Sequence, residues 1–254
     1  MGYYLYVKDD LEAVSTEELE QAIASLPDWR REKALRFKHE QGRKECAFAY
    51  LLLCQALRET YGITEKPSFS IGEHGKPELK VNVNHNLNPN DNLNPNANPN
   101  ANLNANLNPD WGPGLGLASL SSGTVQSGFA ALSSSPLSPQ PSTLHFNLSH
   151  CKKAVACVLS ERPVGVDVET IGRYSESLAR HVLSPDEFDL VSSSPTPQIP
   201  FIRLWTQKEA IVKLTGRGID DDLPNLLFKY NNVVLHTEEH LDKGYILSIA
   251  TYKS

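Results

Sequence analysis

Val164-Gly165-Val166-Asp167-Val168-Glu169 is the stretch on which the fold turns. Valines alternate with a glycine and two acids, the period-two pattern of a strand with one buried face. Asp167 and Glu169 are two apart, so both side chains leave the same face. Further along, Trp205-Thr206-Gln207-Lys208-Glu209-Ala210-Ile211-Val212-Lys213 reads as the centre of a helix from Phe201 to Thr215, ended by Gly216. Glu209 and Lys213 are four apart and share one helix face. If that helix packs across the end of the strand, three carboxylates and one ammonium converge.

Working outward, Ala154 to Ser160 is apolar and β-rich, and Glu161-Arg162-Pro163 makes a turn into Val164. This predicts a hairpin whose second strand carries the two acids. His145-Phe146-Asn147-Leu148-Ser149 reads as a strand running into a loop. Ser184-Pro185-Asp186-Glu187 is a capping box with proline at the first helical position. Ser192 to Pro200 reads as a proline-rich loop, and Leu226 to Tyr252 as two or three closing strands. Upstream, residues 3–8 form a short strand, and Ser15 with Glu18 opens a helix. Trp29 to Lys38 is a basic helix, and Gly42 to Tyr61 is the main core helix of the first half, stopped by Gly62. Phe69-Ser70-Ile71 is a strand followed by the turn Gly72-Glu73-His74-Gly75-Lys76-Pro77.

Between these parts, from Asn82 to Asn108, every second residue is Asn, and a Gly/Ser/Pro-rich stretch follows. Such composition has too little apolar surface to offset chain entropy. The chain therefore divides into an N-terminal half at 1–81, a low-complexity, disordered insert at 82–143, and a C-terminal half at 144–254 carrying the acids.

The 254 residues are 40% hydrophobic, enough for a sizeable core, and the net charge of −6 argues against a general nucleic-acid binder. The cysteines, Cys46, Cys54, Cys151 and Cys157, include no C-x-x-C pair and read as buried apolar residues in a reducing compartment. No apolar run approaches membrane-spanning length and no signal-peptide pattern opens the sequence. A soluble cytoplasmic protein, without nucleic-acid or membrane partners, is the expectation.

Three convergent carboxylates repel one another, and a divalent cation is the simplest relief. Oxygen-only ligands favour Mg²⁺ or Mn²⁺ over zinc, with Asp167, Glu169 and Glu209 as ligands. Lys213 then neutralises a phosphate oxygen as a bond to phosphorus breaks. The ordinary reading of each piece alone is different. A lone D-x-E is usually a solvated strand end, and a lone E-x-x-x-K a surface helix pair. Trp205 reads first as core packing, and His150 alone as a satisfied histidine.

The ordered set G-V-D-V-E and W-T-Q-K-E-A-I-V-K resembles the signature of the 4′-phosphopantetheinyl transferases, in their larger Sfp-type branch. Gly75-Lys76-Pro77, Phe146-Asn147-Leu148-Ser149-His150 and the basic helix at Trp29 agree with it. The similarity covers about 1–80 and 144–220, essentially all of the chain outside the insert. The resemblance implies an α+β fold: two similar α/β halves related by a pseudo-twofold axis, each a small, mainly antiparallel sheet packed on a long helix, with the active site in the cleft between them. It implies a monomer that uses Mg²⁺ and takes coenzyme A as co-substrate, moving phosphopantetheine to a serine of an apo acyl or peptidyl carrier protein. Position by position, it implies metal ligation by Asp167, Glu169 and Glu209 and a diphosphate contact from Lys213. Ser149 and His150 would lie near the coenzyme A phosphates, and Gly75, Lys76 and Pro77 beside the adenine nucleotide. Arg30, Lys33 and Arg43 would hold the 3′-phosphate, with Lys44 the alternative to Arg43. Glu209 is the first candidate for general base and Glu169 the second. Thr206 stands where relatives usually have Ser, and the insert stands where they have a short connection. Two rival readings remain at this stage: a metal-dependent nuclease, and a non-catalytic coenzyme A or carrier-protein binding module.

Overall fold

The computed structural model describes residues 2–72, 77–80, 124–127, 143–172, 174–218 and 222–253, with Ile71 and residues 124–127 described by their backbone. The first half opens with β1 (Tyr3–Lys8), then α1 (Thr16–Ser25), α2 (Asp28–Leu35) and α3 (Glu40–Tyr61). A short antiparallel pair follows, β2 (Ser68–Ile71) with β3 (Pro77–Lys80). The α1 capping box forms as read: Glu18 N–H donates to Ser15 Oγ at 3.1 Å, and Ser15 N–H to Glu18 Oε2 at 2.8 Å. Gly62 ends α3 at φ 68°, left-handed backbone that favours glycine.

The expected disorder of 82–143 falls almost wholly outside the described residues. Thr124–Ser127 forms β4, antiparallel to β1. Beyond it come β5 (His145–His150), β6 (Val155–Ser160) and β7 (Val164–Thr170). Then follow α4 (Glu176–Val182), α5 (Pro185–Ser192), α6 (Gln198–Thr215), α7 (Leu226–Lys229), β8 (Val233–His240) and β9 (Tyr245–Tyr252). Helix α6 starts three residues before the position read from sequence, because Pro200 sits in its first turn, where a missing N–H costs nothing. The segment 226–252 gives one short helix and two strands.

Among the described residues the strands form three antiparallel sheets: β4-β1-β6-β5, β2-β3 and β7-β9-β8. This corrects the expected hairpin. β6 pairs with β1 and β5, while β7 pairs with β9 from Val164↔Thr251 to Thr170↔Tyr245. The turn at Pro163 carries the chain from one sheet to another instead of folding it back. Both strands bury apolar side chains, so β7 gains more by covering the first sheet than by extending it.

Alternation along each strand sets the layers. Tyr6, Phe146, Val155, Cys157 and Leu159 face α3. Leu5, Val7, Ala156 and Val158 face the other way, onto Val164, Val166, Val168, Leu247 and Ile249 of the second sheet. The far side of that sheet carries α6, with Ala210, Ile211 and Leu214 in one cluster with Ala250. The order is helix, sheet, sheet, helix. Gly165, Asp167 and Glu169 thus look toward α6, which fixes where the site can form.

Candidate active site

Gly165 is what lets α6 come close. A Cβ there would lie 2.1 Å from the Ala210 carbonyl oxygen and 2.5 Å from the Leu214 nitrogen. The contact is backbone on backbone, and only glycine permits it. Helix α6 is then fastened residue by residue. Thr206 Oγ1 lies 2.8 Å from Ser248 Oγ on β9, which lies 2.9 Å from Thr237 Oγ1 on β8. Gln207 Nε2 donates to the same Thr237 hydroxyl at 3.0 Å. Lys208 is fully buried, its ammonium donating to Glu187 Oε2 at 2.7 Å and to the carbonyls of Leu223, Val182 and Pro224 at 2.8, 2.9 and 3.2 Å. This satisfies a charge that would otherwise be prohibitive to bury.

The next residue, Glu209, and Lys213 one turn later meet β7. Lys213 Nζ donates to Asp167 Oδ1 at 2.7 Å and to Ser149 Oγ at 2.8 Å. Ser149 Oγ in turn donates to Asp167 Oδ1 at 2.9 Å and accepts from Val168 N–H at 3.2 Å. Asp167 is 3% exposed, and its second oxygen, Oδ2, is buried with no hydrogen-bond partner. Burial first, and then the Asp167 charge, pushes the Glu169 carboxyl up to about 7, opposed by a hydrogen bond from Trp205 and by the Lys213 charge. Glu209 is also raised, by burial and then by Asp167, with Lys213 opposing. The three acids therefore sense one another across β7 and α6.

That cluster is short of positive charge, and an oxygen-only donor set with an orphaned buried carboxylate oxygen fits a hard divalent cation. As the side chains stand, no three His, Cys, Asp or Glu residues among the described residues are gathered closely enough to hold an ion. Lys213 supplies the counter-charge on Asp167 instead.

Ser149 and His150 leave opposite faces of β5, as neighbours on a strand do. Ser149 points into the acid cluster. His150 is exposed, with Nδ1 3.2 Å from Glu45 Oε2 on α3. The basic residues lie on the helical layer of the first half. Arg30 donates to the Cys46 carbonyl at 2.9 Å through Nη2. Arg43 Nε donates to the Phe37 carbonyl at 2.9 Å and lines a groove of about 630 Å³ with Arg31 and Leu35. Lys44 is buried against Glu40 at 2.8 Å, and Lys33 is exposed on α2. Pro77 begins β3; Gly75 and Lys76 lie outside the described residues.

Three residues with clear roles went unassigned from sequence. Asn147 Oδ1 accepts Val166 N–H at 3.1 Å, tying β5 to β7. Trp205, read as core, packs partly buried against Phe201 as expected, and it also acts to lower the Glu169 carboxyl. Lys208 was a charge inside an apolar motif, a signal for a buried ion pair.

Residues 163–247 match the family model of the 4′-phosphopantetheinyl transferase superfamily. A 4′-phosphopantetheinyl transferase of Bacillus subtilis is 32% identical over 209 residues, covering 81% of this chain and 67% of the relative. The transferase psf-1 of Bacillus pumilus is 32% identical over 133 residues, 46% of this chain and 57% of the relative. HetI of Nostoc is 42% identical over 83 residues, 31% of this chain and 35% of the relative. The chain thus spans from about a third to two thirds of the length of these curated relatives. No helix among the described residues is long and apolar enough to cross a membrane. A relative one third identical along four fifths of this sequence, and a profile that begins at the acid strand and runs through the Glu209 helix, lead to one conclusion: the chain belongs to the 4′-phosphopantetheinyl transferase superfamily.

Proposed function

We propose that this chain transfers the 4′-phosphopantetheine group of coenzyme A to a serine hydroxyl of an apo acyl or peptidyl carrier protein, releasing 3′,5′-ADP. The observation that carries the proposal is the junction of β5, β7 and α6, where Lys213 bridges Asp167 and Ser149 beside two further raised acids. In this reading the substrate lies in a cleft between two pseudo-symmetric halves of a cytoplasmic monomer.

The serine oxygen forms a bond to the β-phosphorus, the one bearing pantetheine. The bond from that phosphorus to the bridging oxygen breaks, and 3′,5′-ADP leaves with the electron pair. Asp167, Glu169 and Glu209 would hold Mg²⁺ or Mn²⁺, which supplies charge neutralisation on the diphosphate. Lys213, released from Asp167 as substrate enters, places its ammonium on a diphosphate oxygen. Glu209 is the first candidate to accept the serine proton and Glu169 the second. Their raised values belong to the ion-free protein, and a bound cation lowers both. His150, Lys33, Arg30 and Arg43 are assigned to the 3′-phosphate, and Gly75, Lys76 and Pro77 to the adenine nucleotide. Of the basic group, Lys33 and His150 are the exposed members.

The test uses purified protein, coenzyme A, Mg²⁺ and a panel of apo carrier proteins. The expected result is a mass gain of one phosphopantetheine group on at least one carrier. Coenzyme A binding without transfer to any carrier would replace the proposal with a binding module, and Mg²⁺-dependent cleavage of DNA would replace it with a nuclease.

A further inference from the structure

β5 and β7 run side by side where the two main sheets meet, yet among the described residues they share no backbone ladder. β5 is laddered to β6, and β7 to β9. In an antiparallel strand, alternate N–H groups point to opposite edges, so half of those on β7 turn away from β9. Two of these, Val166 N–H and Val168 N–H, donate to Asn147 Oδ1 at 3.1 Å and Ser149 Oγ at 3.2 Å. Asn147 and Ser149 are two apart on β5, so their side chains leave one face at a repeat of about 6.7 Å, the same repeat as the N–H groups they meet. Side chains of one strand replace the missing backbone of a ladder.

This arrangement fixes register. A slip of one residue would put Leu148 opposite β7 together with Phe146 in one direction or His150 in the other, and neither Leu148 nor Phe146 carries an acceptor. At least one buried N–H group would then be orphaned. Ser149 also bonds Asp167 and Lys213, so it belongs to the site itself. Asn147 bonds the residue before Asp167.

We infer that Asn147 is a positioning residue: its amide oxygen locks β7 in register with β5, and so sets where Asp167 meets Ser149 and Lys213. The consequence for metal affinity rests on the proposed role of Asp167, Glu169 and Glu209.

The experiment compares Asn147→Asp, which keeps an acceptor in place, with Asn147→Leu, which keeps the size and removes it. Amide hydrogen exchange along β7 is read in the full chain, and Mn²⁺ affinity is read from the free-ion electron paramagnetic resonance signal without coenzyme A. Asn147→Leu is expected to speed exchange at Val166 and Val168 selectively and to weaken Mn²⁺ binding about 10–100-fold, the usual cost of losing support for a metal ligand. Asn147→Asp is expected to keep slow exchange. If Asn147→Leu does not fold, Asn147→Gln, which displaces the amide by one methylene, takes its place with the same expected losses. Unchanged exchange at Val166 in the Leu or Gln variant overturns the inference. So does Asn147→Asp failing as Asn147→Leu does, or a protection loss spread evenly over α3 and β9. If the unaltered chain binds no Mn²⁺, the metal reading under the proposed function fails, and exchange at Val166 still decides the role of Asn147.

Discussion

Replacing Gly165 with alanine adds one methyl group, and the structure says where it goes. The new Cβ would sit 2.1 Å from the Ala210 carbonyl oxygen, 2.5 Å from the Leu214 nitrogen and 3.0 Å from the Leu214 Cα. Ordinary non-bonded separation is about 3.5 Å, so α6 must retreat from β7 by roughly 1 Å. Both sides of the clash are backbone, so no side chain can rotate out of the way. Overpacking of this kind costs about 1–3 kcal/mol, and a clash with a helix backbone belongs at the upper end. At about 2–4 °C per kcal/mol for a chain of this size, the melting temperature should fall by roughly 6–12 °C. Activity should fall further than stability. The bonds from Lys213 to Asp167 and Ser149 are 2.7 and 2.8 Å. A retreat of about 1 Å takes both beyond hydrogen-bonding range. Misplacement on that scale costs about 10²-fold in rate. The assay pairs a thermal melt with carrier modification followed by intact mass. Adding Ala210→Gly should rescue neither property, because the collision is with the carbonyl and not with the methyl. A Gly165→Ala protein with unaltered melting and unaltered transfer would refute the close-approach argument.

Glu209→Ala should lower transfer by about 10²-fold or more while leaving the melt nearly unchanged; full activity would remove Glu209 from the site. Lys208→Met should leave the Glu187 carboxylate without its buried partner and cost about 3–5 kcal/mol, measured by denaturant unfolding. Adding Glu187→Gln to it should recover part of that loss, and a neutral single variant would contradict the buried ion pair. Glu169 rises from 4.5 to about 7 on folding, chiefly by burial, so the native state favours its neutral form. That contribution is fully present below 4.5 and is lost as pH rises to about 7. In chelator-treated protein, Glu169→Gln should flatten the fall in melting temperature across this window; an unchanged profile would mean that Glu169 is not buried as described.

The same-face logic brings Lys213 of α6 onto Asp167 of β7, at 2.7 Å, because both periods, two for a strand and 3.6 for a helix, are fixed by backbone geometry. Pairing is not fixed that way. β7 looked like the return arm of a hairpin, since Pro163 sits in the turn before it. Its true partner, β9, comes at the end of the chain, and alternation says which side of a strand is buried but not what lies along its edge. Strand geometry also separates Ser149 from His150, a consequence hidden when the two are read as adjacent letters of one motif. Trp205 was taken for core because its ring is apolar, and it does pack beside Phe201, with ring centroids 6.4 Å apart; its influence on Glu169 leaves no trace in a hydrophobic pattern. Lys208 is the opposite case. Its charge was a signal left unread, and its partners at Val182, Glu187 and Leu223 come from both directions along the chain.

β1 lies between β4 and β6, and both neighbours come from far later in the chain. A nascent polypeptide therefore carries residues 3–8 with neither neighbour until Ser127 has left the ribosome and without the second until Ser160 has, and closing so distant a contact is intrinsically slow. Cleaving between Lys80 and Thr124 would leave β2-β3 in one fragment and β7-β9-β8 in the other, but would part β1 from both its neighbours in the sheet β4-β1-β6-β5. Mixed together, they have every reason to find each other, which makes this protein a natural candidate for split-reporter complementation.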